Sequence, residues 1–241
     1  MKPFKFRASS LGRIMTDAQS IDPALLSEEL AAISRKTKKT DEDKALLAPF
    51  KDQSLSAGAK TFLDGLAKEF VYSYEQTFSS KFTEKGMMVE EDSIELYNSV
   101  FFSSVTKNTE RRENEWITGE CDIVQPNRIT DIKSAWSLAT FPATAAQAHD
   151  PDYEWQGRAY MWLWDKPEFE VAWCLVDTPP DLIGYEDESL HYVSHINPAL
   201  RVTRALYQRD LALEERIKIK VKAANAYIEK VVREIVEQHP T

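Results

Sequence analysis

TGECDIVQPNRITDIKS, residues 118–134, reads as two short strands joined by a turn. Pro126-Asn127 supplies the turn signal between runs rich in Ile, Val and Thr. Asp122 falls near the end of the first strand, and Asp131 and Lys133 fall in the second. Side chains two apart on a strand share a face, so Asp131 and Lys133 project to one side. On a straight strand Glu120 would share the face of Asp122, and it ranks as a supporting acid rather than a primary ligand. Two carboxylates and a lysine converging at a sheet edge can hold a divalent metal and stabilise developing negative charge, as phosphodiester hydrolysis requires.

A D-x-K triplet is common by chance, and charged residues on a half-exposed strand are often only its solvated face. The flanking segments carry the argument further. Upstream, Gly86 to Phe102 reads as a helix on which Glu90, Ser93 and Tyr97 fall at i, i+3 and i+7, on one face. Glu91 points about 100° away around the helix. An exposed acidic helix start is the plain alternative, because acids favour a helix N-terminus. Downstream, Tyr153 to Trp164 reads as an aromatic helix with Gln156 and Tyr160 one turn apart. Trp155, Ala159 and Trp162 form a separate stripe expected to face the core, with the aromatics as packing rather than a base-stacking platform.

The order Glu90, Asp122, Asp131-x-Lys133, then Gln156-x-x-x-Tyr160 resembles the PD-(D/E)XK nuclease superfamily. Within it the pattern is most similar to the YqaJ-type viral recombinases and the bacteriophage lambda exonuclease type, intermittently from about Phe6 to about Ile196. The resemblance implies an α/β (α+β) fold. A central mixed β-sheet flanked by helices would form a restriction-endonuclease-like core with helical N- and C-terminal elaborations. It implies a single domain over residues 1–241, with a helical part at 1–80, the catalytic core at 81–196 and a C-terminal helical part at 197–241. Glu90, Asp122 and Asp131, with the backbone carbonyl of Ile132, would hold one or two Mg²⁺ ions, with Mn²⁺ able to substitute. Lys133 would orient the attacking water or stabilise the transition state, and Gln156 would stand beside the metal or the scissile phosphate. Ala8-Ser9 matches a dipeptide at the head of the first helix that, with an upstream basic residue, contacts the terminal 5′ phosphate of DNA. Lys2, Lys5 and Arg7 all remain open for that basic position.

By the same resemblance the substrate is linear double-stranded DNA, digested 5′ to 3′ from an end in phage-type homologous recombination or end processing. The partners would be DNA ends and a single-strand annealing protein, the assembly a homo-oligomeric ring trimer, and the location the cytoplasm of a bacterial or phage-infected cell. A structure-selective or restriction-type endonuclease on the same scaffold is the competing enzyme reading. A non-catalytic DNA-end or protein-binding module is the reading from another class. All the expected catalytic residue types are present, which weighs against a degenerate site.

Composition bounds these readings. At 241 residues the chain can bury one sizeable core. Apolar residues at 43% and charged residues at 29% place it among soluble globular proteins, and no apolar run is long enough for a transmembrane helix. The start, MKPFKFRASSLGRIM, lacks an apolar stretch of secretory length and is read as part of the fold. Cys121 and Cys174 lie in apolar strand patterns, as buried thiols do, and no zinc or iron–sulfur spacing is present. A formal charge of −9 disfavours indiscriminate binding along duplex DNA and leaves room for binding at a defined site.

The rest of the chain is read more coarsely. Residues 4–16 look like an extended entry and a short helix, capped by Ser9 or Ser10, with Leu11, Ile14 and Met15 facing the core. Residues 22–75 read as helical, starting with Asp22 as cap and Pro23 at the first helical position. Arg35, Lys36, Lys38 and Lys39 form a solvated charge run. Lys107 to Glu115 reads as a hairpin loop, and residues 134–155, with Pro142 and Pro151, as a long connection over the site. Phe169 to Val176 is expected to be a central strand, Leu190 to Ile196 a further strand, and Asn197 to Gln238 a helical region broken near Ala212. Lys218, Lys220 and Lys222 are taken as one lysine-rich helix face, an amphipathic surface or a subunit contact.

Overall fold

Among the described residues, side-chain caps set most helix starts. In the computed structural model, which describes residues 3–77 and 79–239, Asp22 accepts the Ala24 N–H at 3.0 Å and starts Pro23–Leu25. That start is a single 3₁₀ turn rather than a long helix, because Ser27 opens a new one, α2 (Glu28–Ser34). Thr40 caps α3 (Asp41–Gln53) in a reciprocal capping box with Asp43, and Ser56 caps α4 (Ala57–Tyr72). Before them lie a two-residue strand, β1 (Phe6–Arg7), the 3₁₀ turn Ala8–Ser10 and α1 (Leu11–Met15). Ser10 takes the cap position of α1, although its hydroxyl donates back to the Arg7 carbonyl at 3.0 Å.

The chain divides into two units. One joins the residues up to Gln76 to those from Leu211 onward, and the other runs from Thr77 to Asp210. In the first unit α4 buries Ala59, Leu63 and Ala67, one face of the helix. The 28-residue helix α10 (Leu211–Gln238) buries Ile217, Val221, Ala224 and Ile228. Leu11, Ile14 and Met15 of α1 are buried as expected. Lys220 is not part of a basic surface. It is fully buried and donates to the Ser54 carbonyl at 2.6 Å, since residues two apart on a helix do not share a face.

The second unit is built on a four-stranded sheet, β4 (Ile123–Val124), β5 (Arg128–Ser134), β6 (Glu168–Cys174) and β7 (Val202–Gln208), in that order. β5 and β6 are parallel, with Asp131 opposite Val171, and both outer pairings are antiparallel. The parallel connection runs through α7 (Ala145–Ala148) and α8 (Pro151–Trp164), which Asp150 caps with Pro151 in the first position. Ile132, Ala172 and Cys174 pack on one sheet face with Ile94, Leu96 and Tyr97 of α6 (Glu90–Phe101). Phe169, on the opposite face, packs against α8.

Several expectations change here. The first strand of the 118–134 stretch is split. β3 (Ile117–Gly119) pairs with β2 (Arg112–Glu113), while β4 pairs with β5 across Pro126-Asn127. The chain turns between them at Glu120–Asp122, so Glu120 does not share a strand face with Asp122. It is exposed and pairs with Arg111 at 3.1 Å. The 107–115 hairpin loop shrinks to a tight turn in which Asn114 accepts from Trp116 and Ile117. The upstream helix is two helices, α5 (Lys81–Met88) and α6, parted at Val89.

Residues 190–196 are not a strand. Asp177 accepts the N–H groups of Val193 and Ser194 at 2.6 and 2.9 Å, so those groups are spent on a side chain rather than a ladder. The helical region expected from Asn197 contains β7 instead, whose alternation buries Ala205 and Tyr207 against β6. A short helix, α9 (Pro180–Ile183), follows Thr178-Pro179. On α8, Trp155 and Trp162 are only half-buried; the core takes Gly157, Ala159, Met161 and Trp164.

Candidate active site

β5 places Asp131 and Lys133 on the sheet face that α8 covers, two residues apart and in contact. Lys133 Nζ stands 2.6 Å from Asp131 Oδ2. Asp131 is 2% exposed, and no hydrogen-bond donor is aligned on its Oδ2 among the described residues. Its Oδ1 faces Gln156 Nε2 at 3.4 Å. Lys133 is held from the other side by the Tyr153 ring, 4.7 Å from its ammonium, and Tyr153 in turn packs edge-on against Trp173. Burial alone would lower the Lys133 pKa, but the Asp131 and Asp122 charges outweigh it and raise it above the ordinary lysine value.

Asp122 reaches β5 because β4 is short. Past β4, the Ile132 N–H lacks a neighbouring strand on that side and donates to Asp122 Oδ2 at 2.7 Å. Burial first, and the Asp131 charge second, push the Asp122 carboxyl up to about 8, against the opposing pull of Lys133 and the Ile132 N–H. Gln156 is buried and donates to Tyr160 Oη at 2.9 Å, and that hydroxyl donates on to the Glu120 carbonyl at 2.9 Å. Burial keeps Tyr160 protonated as that donor by raising its pKa.

Glu90 begins α6 and faces the same cleft, a space of about 830 Å³ also lined by Asp122, Ile132, Lys133, Phe82 and Met87. Its carboxylate is ion-paired with Lys107. The site thus gathers Asp122, Asp131, Lys133 and Gln156 tightly, with Glu90 across the cleft. Among the described residues, no three His, Cys, Asp or Glu side chains enclose a metal position as they stand. The donor chemistry still suits a hard divalent cation: carboxylates and a backbone carbonyl are oxygen ligands, and among the described residues the buried Asp131 Oδ2 has its ion pair with Lys133 and no further aligned hydrogen bond.

The residues expected at a 5′ phosphate lie in the other unit. Arg7 and Ser9 are exposed and Lys5 is half-buried, while Lys2 lies outside the described residues.

No family model matches the chain, and no curated protein matches it. Solved structures do. A phage-related exonuclease from Haemophilus somnus 129PT superposes with a TM-score of 0.78 at 31% identity, covering 97% of this chain and 97% of that one. The chain belongs to the phage-related exonuclease family. An alkaline exonuclease from Laribacter hongkongensis, LHK-Exo, shares the fold at a TM-score of 0.60 and 13% identity over 97% of this chain and 92% of that one. The same exonuclease in complex with dAMP gives 0.60 at 14% over the same shares.

In this member of the exonuclease family, two side chains, one lining the cleft and one buried on α5, carry no sequence signal. Lys107 sits in an irregular segment that reads as loop, and its link to Glu90 is made only in three dimensions. Lys85 is fully buried on α5 and donates to the carbonyls of Ala135, Trp136 and Val176 at 2.7, 3.0 and 3.0 Å. It ties together the segments that leave β5 and β6. Burial lowers its pKa to about 8. Tyr153 was within reach of sequence reading, being on the same helix as Gln156 and three residues before it.

Proposed function

We propose that the chain is a metal-dependent DNA exonuclease of the lambda-exonuclease and YqaJ type, hydrolysing phosphodiesters 5′ to 3′ from the ends of linear double-stranded DNA. The observation that carries the reading is 31% identity over 97% of both chains with a phage-related exonuclease. The paired Asp131 and Lys133 on one strand, with Asp122 on the Ile132 N–H, support a PD-(D/E)XK site within it.

Glu90, Asp122, Asp131 and the Ile132 carbonyl are the residues that would hold Mg²⁺, with Mn²⁺ as a substitute. Bound there, such an ion supplies an acidified water and neutralises phosphate charge. Lys133, fixed between Asp131 and Tyr153, would offer its ammonium to the attacking water or to the charge developing on phosphorus. Gln156 would hold Asp131 in orientation through the 3.4 Å contact, itself steadied by Tyr160. The proposal extends to a role in phage-type recombination in the cytoplasm. A ring of three chains would expose 3′ strands there for a single-strand annealing protein. Light scattering of the purified protein reads the subunit number.

The test is digestion of linear, nicked and closed-circular duplexes with and without Mg²⁺. Loss of the linear substrate from its ends, survival of closed circles and silence in chelator support the reading. Cutting of closed circles at a rate similar to linear DNA overturns it in favour of an endonuclease. Binding without cleavage across divalent metals overturns it in favour of a passive DNA-end module.

A further inference from the structure

Two acids of the candidate site each have a lysine of their own, and both lysines line the cleft. Asp131 has Lys133, and Glu90 has Lys107. The two lysines are held differently. Lys133 is the more enclosed, with 22% of its side chain exposed and an aromatic ring against its ammonium. Lys107 has 46% exposed, and its tip ends on the Glu90 carboxylate.

The root of Lys107, however, is fixed from both sides. Asn98 of α6 accepts the Val105 N–H at 2.9 Å and donates to the Val105 carbonyl at 2.9 Å. On the other side the Asn108 N–H donates to the Asp122 carbonyl at 2.6 Å, and its side chain donates to the Cys121 carbonyl at 3.0 Å. The irregular segment is therefore stitched to the helix that carries Glu90 and to the backbone of Asp122. A lysine anchored at its root, half-exposed along its side chain and paired at its tip with Glu90 is placed to be present at the cleft and to move within it.

We infer that Lys107 is a built-in counter-cation of the cleft, which Glu90 must release before it can ligate a divalent metal, so that Lys107 sets the metal affinity. The inference rests on the metal-site reading proposed above. Its physical content is competition. A carboxylate oxygen in an ion pair is not free to coordinate, and the pairing energy is subtracted from the binding energy. For an exposed or half-exposed pair that is worth up to about fivefold in affinity. Lys107 is a positioning residue in this scheme, acting through Glu90.

Calorimetric titration of the metal-free protein with Mn²⁺ tests it, in four variants beside the unmodified chain. Lys107→Gln should tighten Mn²⁺ binding by about two- to fivefold, and Lys107→Arg, which keeps the charge, should leave it close to the unmodified value. Glu90→Gln should weaken binding. The double variant Glu90→Gln with Lys107→Gln should show no tightening relative to Glu90→Gln alone, because the competition has lost its object. Unchanged or weaker binding in Lys107→Gln overturns the inference, whereas a lysine that merely supported the fold would have no reason to tighten binding when removed. Equal tightening in both backgrounds also overturns it, by assigning the effect to the general field of a positive charge. Absence of Mn²⁺ binding in every variant sinks the metal reading itself. Binding that ignores Lys107 sinks only this inference.

Discussion

Asp131 and Lys133 make a directly contacting ion pair on one strand face. Asp131→Asn keeps the shape and the Gln156 contact but removes the charge that faces Lys133 at 2.6 Å. Lys133→Ala removes the ammonium from the cleft. Each should lower DNA digestion by about 10²-fold or more, the scale of losing one preorganised electrostatic group, with circular dichroism unchanged. Near-normal turnover in both would remove this site from consideration.

Asp122 makes a second prediction, about pH. Its folded-state value is raised to about 8 from an ordinary 3.8, chiefly by burial. A raised value means that the folded state holds a proton the unfolded chain has already released, so stability is lost as pH climbs through that window. Urea melts of the metal-free protein should show less stability near about pH 8 than near about pH 5 from this group, and Asp122→Asn should flatten the difference. An unchanged slope in the variant would assign the pH dependence to other groups. Asp131 and Lys133 were legible in the sequence because strand alternation alone puts them side by side, whereas the placing of Asp122 was not, because it lies at the turn before β4 and is fixed by the Ile132 N–H. Lys107 was not, because nothing in an irregular segment fixes a direction until Asn98 and Asn108 tie it down.

At the scale of elements, the contact that aligns the site is the packing of α8 on β6. Gly157 follows Gln156, and a Cβ there would lie 1.9 Å from Phe169 Cδ1, a side chain buried to 0% exposure. No flexible end can yield, so the helix must lift from the sheet and carry Gln156 away from Asp131. Gly157→Ala should therefore cost about 1–3 kcal/mol of stability, as overpacking does. It should also slow digestion under conditions where the variant is still folded. Full activity and an unchanged melting temperature would mean that α8 approaches β6 less closely. The need for glycine here is invisible in sequence, since it comes from a ring on another element.

The same limit explains the misread C-terminal strand. VTRALYQ alternates in the way β7 requires, but it runs into a strongly helical sequence from Leu211, and only its pairing with β6 decides between them. The central strand and the turn at Pro126-Asn127 were legible because a run apolar except for Glu170 and a turn signal need no partner to be recognised.

For the whole molecule, the question is why a chain of charge −9 should act on DNA at all, and where. Nonspecific duplex binding rises with the number of phosphates a protein neutralises, and an acidic protein gains little from that source. A terminal 5′ phosphate differs from internal phosphates in carrying more charge and in being reachable by several donors at once. In the first unit, the exposed Ser9 hydroxyl and Arg7 guanidinium offer such donors, with Lys5 near them in sequence. A charge-assisted hydrogen bond of about 1.5 kcal/mol corresponds to roughly tenfold in binding. Linear duplex with 5′ phosphates should then be digested about tenfold faster than the 5′-hydroxyl duplex at limiting substrate. Ser9→Ala and Arg7→Gln should each narrow that ratio, while leaving the rate on 5′-hydroxyl ends nearly unchanged. That last arm separates end recognition from general damage, which would slow both substrates alike. Equal rates on the two ends in the unmodified protein would leave Ser9 and Arg7 without a role at the end. Any preference for linear DNA would then have to come from the cleft lined by Asp122 and Lys133.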